Sequence, residues 1–154
     1  MNGCKFDDDG NVIPIGVTIV WGAPASGKTT YVRKHKQPGD LVVDLDLIKQ
    51  AISMADKTEA GDNLLPIATK LRDQLYDIIA KREVECEHIW VIAGLPQKEQ
   101  RDQLMRKIKA TDWKYCIADK QECIDRAMKD NERVDKEKQR QIITKWFDQF
   151  YYEK

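Results

Sequence analysis

The sequence predicts an α/β domain, a mainly parallel sheet with helices on both faces in a three-layer α/β/α arrangement. Two observations carry that expectation: short apolar, β-branched runs of the length of buried strands, and helical patterning between them. A third bounds it. A chain of 154 residues, 42% hydrophobic, can bury one sizeable core but divides poorly into two, so residues 1–154 are expected to form a single domain.

Ile15 to Trp21 (IGVTIVW) reads as the first buried strand, with a glycine-rich turn after it. Lys28 to Lys36 reads as a helix stopped by Pro38 and Gly39. Leu41 to Val43 is a second short strand. Between Asp46 and Met54, Leu47, Ile48, Ala51 and Ile52 recur at helical spacing. Asp62 suits the N-cap of a longer helix reaching about Arg82, with Leu64, Ile67, Leu71, Leu75, Ile78 and Ile79 on its apolar face. His88 to Ala93 (HIWVIA) is a third strand, Gln97 to Ala110 a polar helix, and Trp113 to Ala118 a fourth strand. A helix over Glu122 to Lys129 and a charged stretch to Arg140 lead into a last helix carrying Ile142, Ile143, Trp146, Phe147 and Phe150. Its aromatic residues would pack against the sheet, and any residual patch would suit a second copy, so a monomer and a homodimer are both compatible with the sequence. Asp7 to Asn11 lacks the alternating ligands and closing glutamate of a calcium loop and reads as a turn.

Basic and acidic residues balance at 26 each, which gives no long basic surface for nucleic acid or for an anionic membrane. The cysteines, Cys4, Cys86, Cys116 and Cys123, have no CxxC spacing, and His35 and His88 lie far apart, so no zinc site is expected. No apolar run approaches the ~20 residues that span a bilayer. The first ten residues, with three aspartates, do not resemble a secretory leader. A cytoplasmic protein with free thiols is the expectation.

Gly22-Ala23-Pro24-Ala25-Ser26-Gly27-Lys28-Thr29 fits the GxxxxGK[ST] phosphate loop without a mismatch, and Thr30 continues it. Its two glycines allow backbone angles at which successive N–H groups turn inward around phosphate oxygens, and the helix that opens near Lys28 adds the positive end of its dipole. Lys28 would reach the β- and γ-phosphates, and the Thr29 hydroxyl would ligate Mg2+. The loop follows a buried strand and opens a helix, the context that this chemistry requires. Nucleotide binding through a P-loop NTPase fold is therefore expected, with ATP as the default nucleotide because no Asn-Lys-x-Asp base-reading element occurs.

Asp44-Leu45-Asp46 ends the second strand. The end of a strand neighbouring the P-loop strand would bring carboxylates beside the γ-phosphate, where they can hold Mg2+ or accept the proton of an attacking hydroxyl. Both aspartates can face the ligand only if the chain bends between them. Asp46 would also serve as the N-cap of the following helix.

From GAPASGKT through VVDLDLIKQAI, the chain resembles small P-loop kinases, among them polynucleotide, adenylylsulfate, shikimate and gluconate kinases. The resemblance implies an ATP-dependent phosphotransferase with Mg2+, acting on a hydroxyl or phosphate of a small-molecule, nucleotide or polynucleotide acceptor. By it, Asp46 matches the general base and Lys49 the basic residue that grips an anionic acceptor; Asp44 would support Mg2+. Ala93-Gly94-Leu95-Pro96, at the third strand end, would line the acceptor site through Gly94, with Arg101 nearby. The segment at about 126–138 looks like the lid of these kinases, with Arg133 placed for catalysis and Arg126 for the nucleotide. On one continuous helix these two arginines would share a face.

Two other functions fit a P-loop. An AAA-like ATPase would need a hydrophobic strand ending in Asp-Glu, where His88 to Leu95 ends in Ala-Gly-Leu. A nucleotide-sensing module would keep the loop and have no acceptor.

Overall fold

The computed structural model describes residues 5, 6, 8–55, 61–130, 133 and 135–152. Cys4, the expected free thiol nearest the N-terminus, lies outside them, as do Asp7 of the expected turn and residues 131, 132 and 134 of the expected lid.

The chain opens with a small antiparallel hairpin, β1 (Lys5–Phe6) and β2 (Val12–Ile13). Its turn includes Gly10 at φ +83°, a left-handed angle that glycine adopts without steric cost. Then come β3 (Gly16–Trp21), α1 (Lys28–His35), β4 (Leu41–Val43) and α2 (Leu45–Ser53). A short 3-10 turn at Asp62–Leu64 leads into α3 (Leu65–Ala80). The remaining elements are β5 (His88–Ala93), α4 (Lys98–Ile108), β6 (Asp112–Tyr115), α5 (Lys120–Lys129) and α6 (Lys136–Tyr152).

Strands β3 to β6 form one parallel sheet in the order β4-β5-β3-β6, the α/β architecture expected. The expectation that the aspartate strand neighbours the P-loop strand is corrected: β5 lies between β4 and β3. Sequence gives the order of strands along the chain, and the crossover that inserts β5 later is a tertiary choice.

Both faces of the sheet are covered, and alternation along each strand shows it. Val17, Ile19 and Trp21 of β3, with Ile89 and Val91 of β5, join the larger core against Tyr76 and Ile79 of α3, Leu104 and Ile108 of α4, Cys123 and Ile124 of α5, and Ile143, Trp146 and Phe147 of α6. Val20, Trp90 and Ile92 point the other way, to a smaller cluster with Val32 of α1. Helices α3 to α6, with Ile48 of α2, thus serve one face and α1 the other. The aromatic tail packs as expected, with Trp146 and Phe150 stacked at 5.0 Å and Trp21 stacked on Tyr115 at 4.1 Å.

Three local expectations shift. Asp62 does not cap α3; Gly61 precedes the 3-10 turn, Pro66 stands in the first turn of α3, and the Asp62 carboxylate accepts from Lys138 Nζ at 2.9 Å. The inward face of α3 is Ala68, Tyr76 and Ile79, whereas Ile67 and Ile78 are exposed. Helix α5 ends at Lys129, so Arg126 and Arg133 do not share a continuous helix. Among the described residues Cys86, Cys116 and Cys123 are free thiols, and no helix is long and apolar enough to cross a membrane.

Candidate functional site

At the carboxyl ends of β3, β4 and β5 the chain encloses a cavity of about 1220 Å³. Its walls include Pro24 to Thr30 of the P-loop, Asp44 to Leu47 at the β4–α2 junction, Ala93 to Pro96 after β5, and Arg126 and Arg133.

The loop geometry follows from its glycines. Gly22 sits at φ +152°, and a Cβ there would meet Ser26 Oγ at 2.8 Å and the Cys116 carbonyl oxygen at 2.9 Å. Gly27, at φ +99°, is the N-cap of α1 in a left-handed conformation. The Ser26 hydroxyl is buried without a hydrogen-bond partner, an orphaned donor beside the loop's inward amides. These features fit a phosphate cradle. We expect Gly22→Ala to lower stability by about 1–3 kcal/mol in denaturant unfolding, from backbone strain alone. Gly94 differs, because its φ is not left-handed and a Cβ would stand 3.5 Å from Trp146, an ordinary contact. Gly94→Ala is therefore expected to unfold near the wild-type midpoint in the same measurement.

Lys28 Nζ donates to the carbonyl oxygens of Gly22 and Ala23, each at 2.7 Å, which holds the ammonium over the loop. Burial pulls its pKa down to about 8, opposed by the Asp44 carboxylate and assisted by the Arg133 charge. Asp44 responds in the opposite sense. Burial and the neighbouring Asp46 carboxylate push it up to about 6, against the pull of Lys28 and of the backbone N–H groups of Asp46 and Leu47. Lys28, Asp44 and Arg133 are therefore within electrostatic reach of one another.

Asp44, not Asp46, occupies the N-cap of α2, in extended conformation at φ −146°, with no side-chain capping bond of ordinary geometry. The helix starts one residue later, at Leu45. That bend brings both carboxylates to the cavity: Asp44 half-buried, and Asp46 exposed in the first turn of α2. Thr29 lines the same cavity. A hydroxyl and one or two carboxylates, completed by phosphate oxygens, suit a Mg2+ ion that travels with a nucleotide. No group of three or more His, Cys, Asp or Glu forms a metal cluster among the described residues.

The two arginines approach from α5 and from the segment beyond it. Arg126 donates to the Ala25 carbonyl at 3.4 Å and pairs with Glu122 one turn back. Arg133 donates to Asp130 at 3.2 Å and to Gln139 at 2.7 Å, with 15% of its side chain exposed. Lys49 does not line the cavity; its charge is felt by Asp62, which pairs with Lys138 of α6. Arg101 does not line it either. Its guanidinium lies 4.1 Å from the Trp21 ring and donates to the Leu95 and Pro96 carbonyls, so it braces the turn after β5. The Gly94 carbonyl accepts from Gly22 N at 3.3 Å and from Trp146 Nε1 at 3.1 Å, tying that turn to the P-loop and to α6.

Other lining residues had no role in the sequence reading: Arg72 and Tyr76 on α3, and Gln100, Gln103 and Lys107 on α4. Their signals were present. Arg72 falls between Ala68 and Tyr76 on the inward stripe of α3, and the α4 residues follow i, i+3, i+7 spacing.

Fold and loop together define a P-loop nucleotide-binding protein of the kinase- or ATPase-like kind. A family model described as an AAA domain matches residues 17–150, and the chain belongs to that family, a small P-loop kinase-like group as found in polynucleotide kinases. Such domains generally use ATP and Mg2+. A search of curated proteins finds no match. Among solved structures, the chain is similar to one in the structure of the Pnkp1/Rnl/Hen1 RNA repair complex, at 17% identity and a TM-score of 0.68. The similarity covers 96% of this chain and 48% of that one, so the chain spans about half the length of that relative.

Proposed function

We propose that the protein transfers the γ-phosphoryl group of ATP to a hydroxyl of a small-molecule, nucleotide or polynucleotide acceptor, in one domain with a lid at about 126–138. The observation that carries this reading is the shared cavity: the P-loop forms one wall, Asp44 and Asp46 face it, and space continues past them to α3 and α4. A site built only for hydrolysis needs room for one water beyond the γ-phosphate. The carboxylates lining this cavity, Asp44, Asp46, Asp73 and Asp130, include no glutamate at the end of β5. The similarity to a chain of an RNA repair complex adds support for a nucleic-acid-type acceptor.

In this reading Gly22 to Thr30 hold the triphosphate, with Lys28 on the β- and γ-phosphates and Arg126 on the nucleotide. Mg2+, held through Thr29 and Asp44, would neutralise charge on the phosphate oxygens. Asp46 accepts the acceptor's proton, and Arg133 stabilises charge on the transferred group. The test is incubation with γ-labelled ATP, Mg2+ and a panel of nucleosides, nucleotides, 5′-hydroxyl oligonucleotides and small hydroxy acids. Label on an acceptor is expected; label in free phosphate alone would assign hydrolysis.

The pH dependence of kcat/KM has a signed expectation. Asp44 must be ionised to hold the metal, so activity falls as pH drops through about 6. Lys28 must be protonated to meet the phosphates, so activity falls as pH rises through about 8. A bell-shaped profile between these limbs is expected in steady-state assays, and Asp44→Asn should remove the acid limb.

A further inference from the structure

Helix α6 buries Gln139, Ile143, Trp146 and Phe147 along one side. The first of these is out of place in an apolar stripe. Gln139 is 8% exposed, and a buried amide costs free energy unless its polar atoms are bonded. Its Oε1 accepts from Arg133 Nη1 at 2.7 Å. Arg133 lines the cavity, and its charge reaches Lys28 of the P-loop. Asp130 Oδ2 holds its Nε at 3.2 Å, and Gln139 holds the other end of the guanidinium from a second element. The amide is neutral, so it adds an anchor without adding a second negative charge to offset the guanidinium. Arg126 is held otherwise, by the carboxylate of Glu122 in an exposed pair.

Gln139 is itself held in place. In the first turn of α6, Asp135 Oδ1 accepts from Lys138 N at 3.0 Å, and Lys136 Nζ donates to the Ala127 and Asp130 carbonyls at the end of α5. Two turns further along the same side, Trp146 Nε1 donates to the Gly94 carbonyl at 3.1 Å. That carbonyl also accepts from the N–H of Gly22, the first residue of the P-loop. Two buried hydrogen-bonding groups thus stand about 10 Å apart on one rigid helix. One engages the lid arginine and the other the turn tied to the P-loop.

We propose that Gln139 is a positioning residue for Arg133: α6, anchored on the P-loop side through Trp146, uses the Gln139 amide to set the guanidinium where the γ-phosphoryl group passes. The proposal rests on the transfer reading above, which gives Arg133 a charge to stabilise, and it adds the residue that aims it.

The test is a double-mutant cycle read on a mimic of the transferred group. Binding of ADP with aluminium fluoride and Mg2+ is compared with binding of ADP and Mg2+ alone in the wild type, Gln139→Met, Arg133→Ala and the double variant. Methionine is close to glutamine in volume, so the packing is kept while the acceptor oxygen is removed. Gln139→Met should weaken the aluminium fluoride complex by about tenfold and leave the Kd for ADP within about twofold. Its kcat should fall by a similar factor with KM for ATP unchanged. In the Arg133→Ala background the same substitution should change nothing. Gln139→Leu repeats the cycle should the methionine variant not fold.

Equal weakening in both backgrounds, or equal weakening of ADP alone, would make Gln139 a packing residue and overturn the proposal. An unaffected complex in Gln139→Met, no complex in the wild type, or no effect of Arg133→Ala would overturn it too. The mimic binds whether the phosphoryl group goes to an acceptor or to water. Label found only in free phosphate therefore ends the transfer reading, while the cycle still decides the role of Gln139.

Discussion

Lys28→Ala is expected to lose phosphoryl transfer by on the order of a hundred- to a thousandfold and to weaken ATP binding at the same time. The reason lies in where its ammonium stands. Two loop carbonyls hold Nζ at 2.7 Å, in a buried position whose cost is visible in a pKa pulled down to about 8. A charge kept there against desolvation gains most when phosphate oxygens approach, because few waters screen the pair. Nucleotide binding should therefore raise the Lys28 pKa and take up protons near pH 8. Calorimetry of ATP binding in two buffers of different ionisation enthalpy measures that uptake, and Lys28→Ala should abolish it. Intact transfer in this variant would overturn the nucleotide assignment of the loop.

Asp46→Asn is expected to reduce transfer by on the order of 10²–10⁴-fold while the Kd for ATP stays within about twofold. Asp46 stands exposed in the first turn of α2, where an acceptor hydroxyl can reach it, while Asp44 is deeper and within reach of Lys28. That difference in depth separates the two roles. Asp44→Asn should shift the Mg2+ concentration for half-maximal rate upward, whereas Asp46→Asn should leave it unchanged. The opposite pattern would exchange the assignments and make Asp44, with its pKa near 6, the base. Single-turnover rates at several Mg2+ concentrations distinguish the two.

Features that depend on local backbone chemistry were legible in the sequence. The P-loop could be read because its glycines answer a local demand, the positive φ angles of Gly22 and Gly27. Strand β5 was read to the residue because a central strand buried on both faces leaves a near-continuous apolar run, and β4, half-buried at the sheet edge, was read to the residue from its Leu-Val-Val run. Whatever depends on the arrangement of elements was hidden. The insertion of β5 between β4 and β3 has no local signature, nor does the break after Lys129 that separates Arg126 from Arg133.

The acceptor side shows the same division. Asp44 and Asp46 were visible as a strand-end pair, but the one-residue shift of the helix start decided which of them caps α2. Counting apolar residues on α3 gave weight to Ile67 and Ile78, which face solvent, and passed over Arg72. Hydrophobic periodicity finds the face that meets the core. It is silent about a face that meets a ligand, where an arginine belongs as naturally as an isoleucine. Lys49 shows the converse: the pattern around it matched, yet the cavity is lined from α2 by Asp46, Leu47 and Gln50 and not by Lys49.

The central claim is that the γ-phosphoryl group goes to an acceptor and not to water. Its most direct test is stoichiometry: ADP formed, free phosphate released and label on the acceptor, all counted in one reaction with and without acceptor. The account predicts slow ADP formation alone, acceleration when acceptor is added, and one labelled acceptor per ADP. ADP formation that ignores the acceptor, with all label in free phosphate, would contradict it.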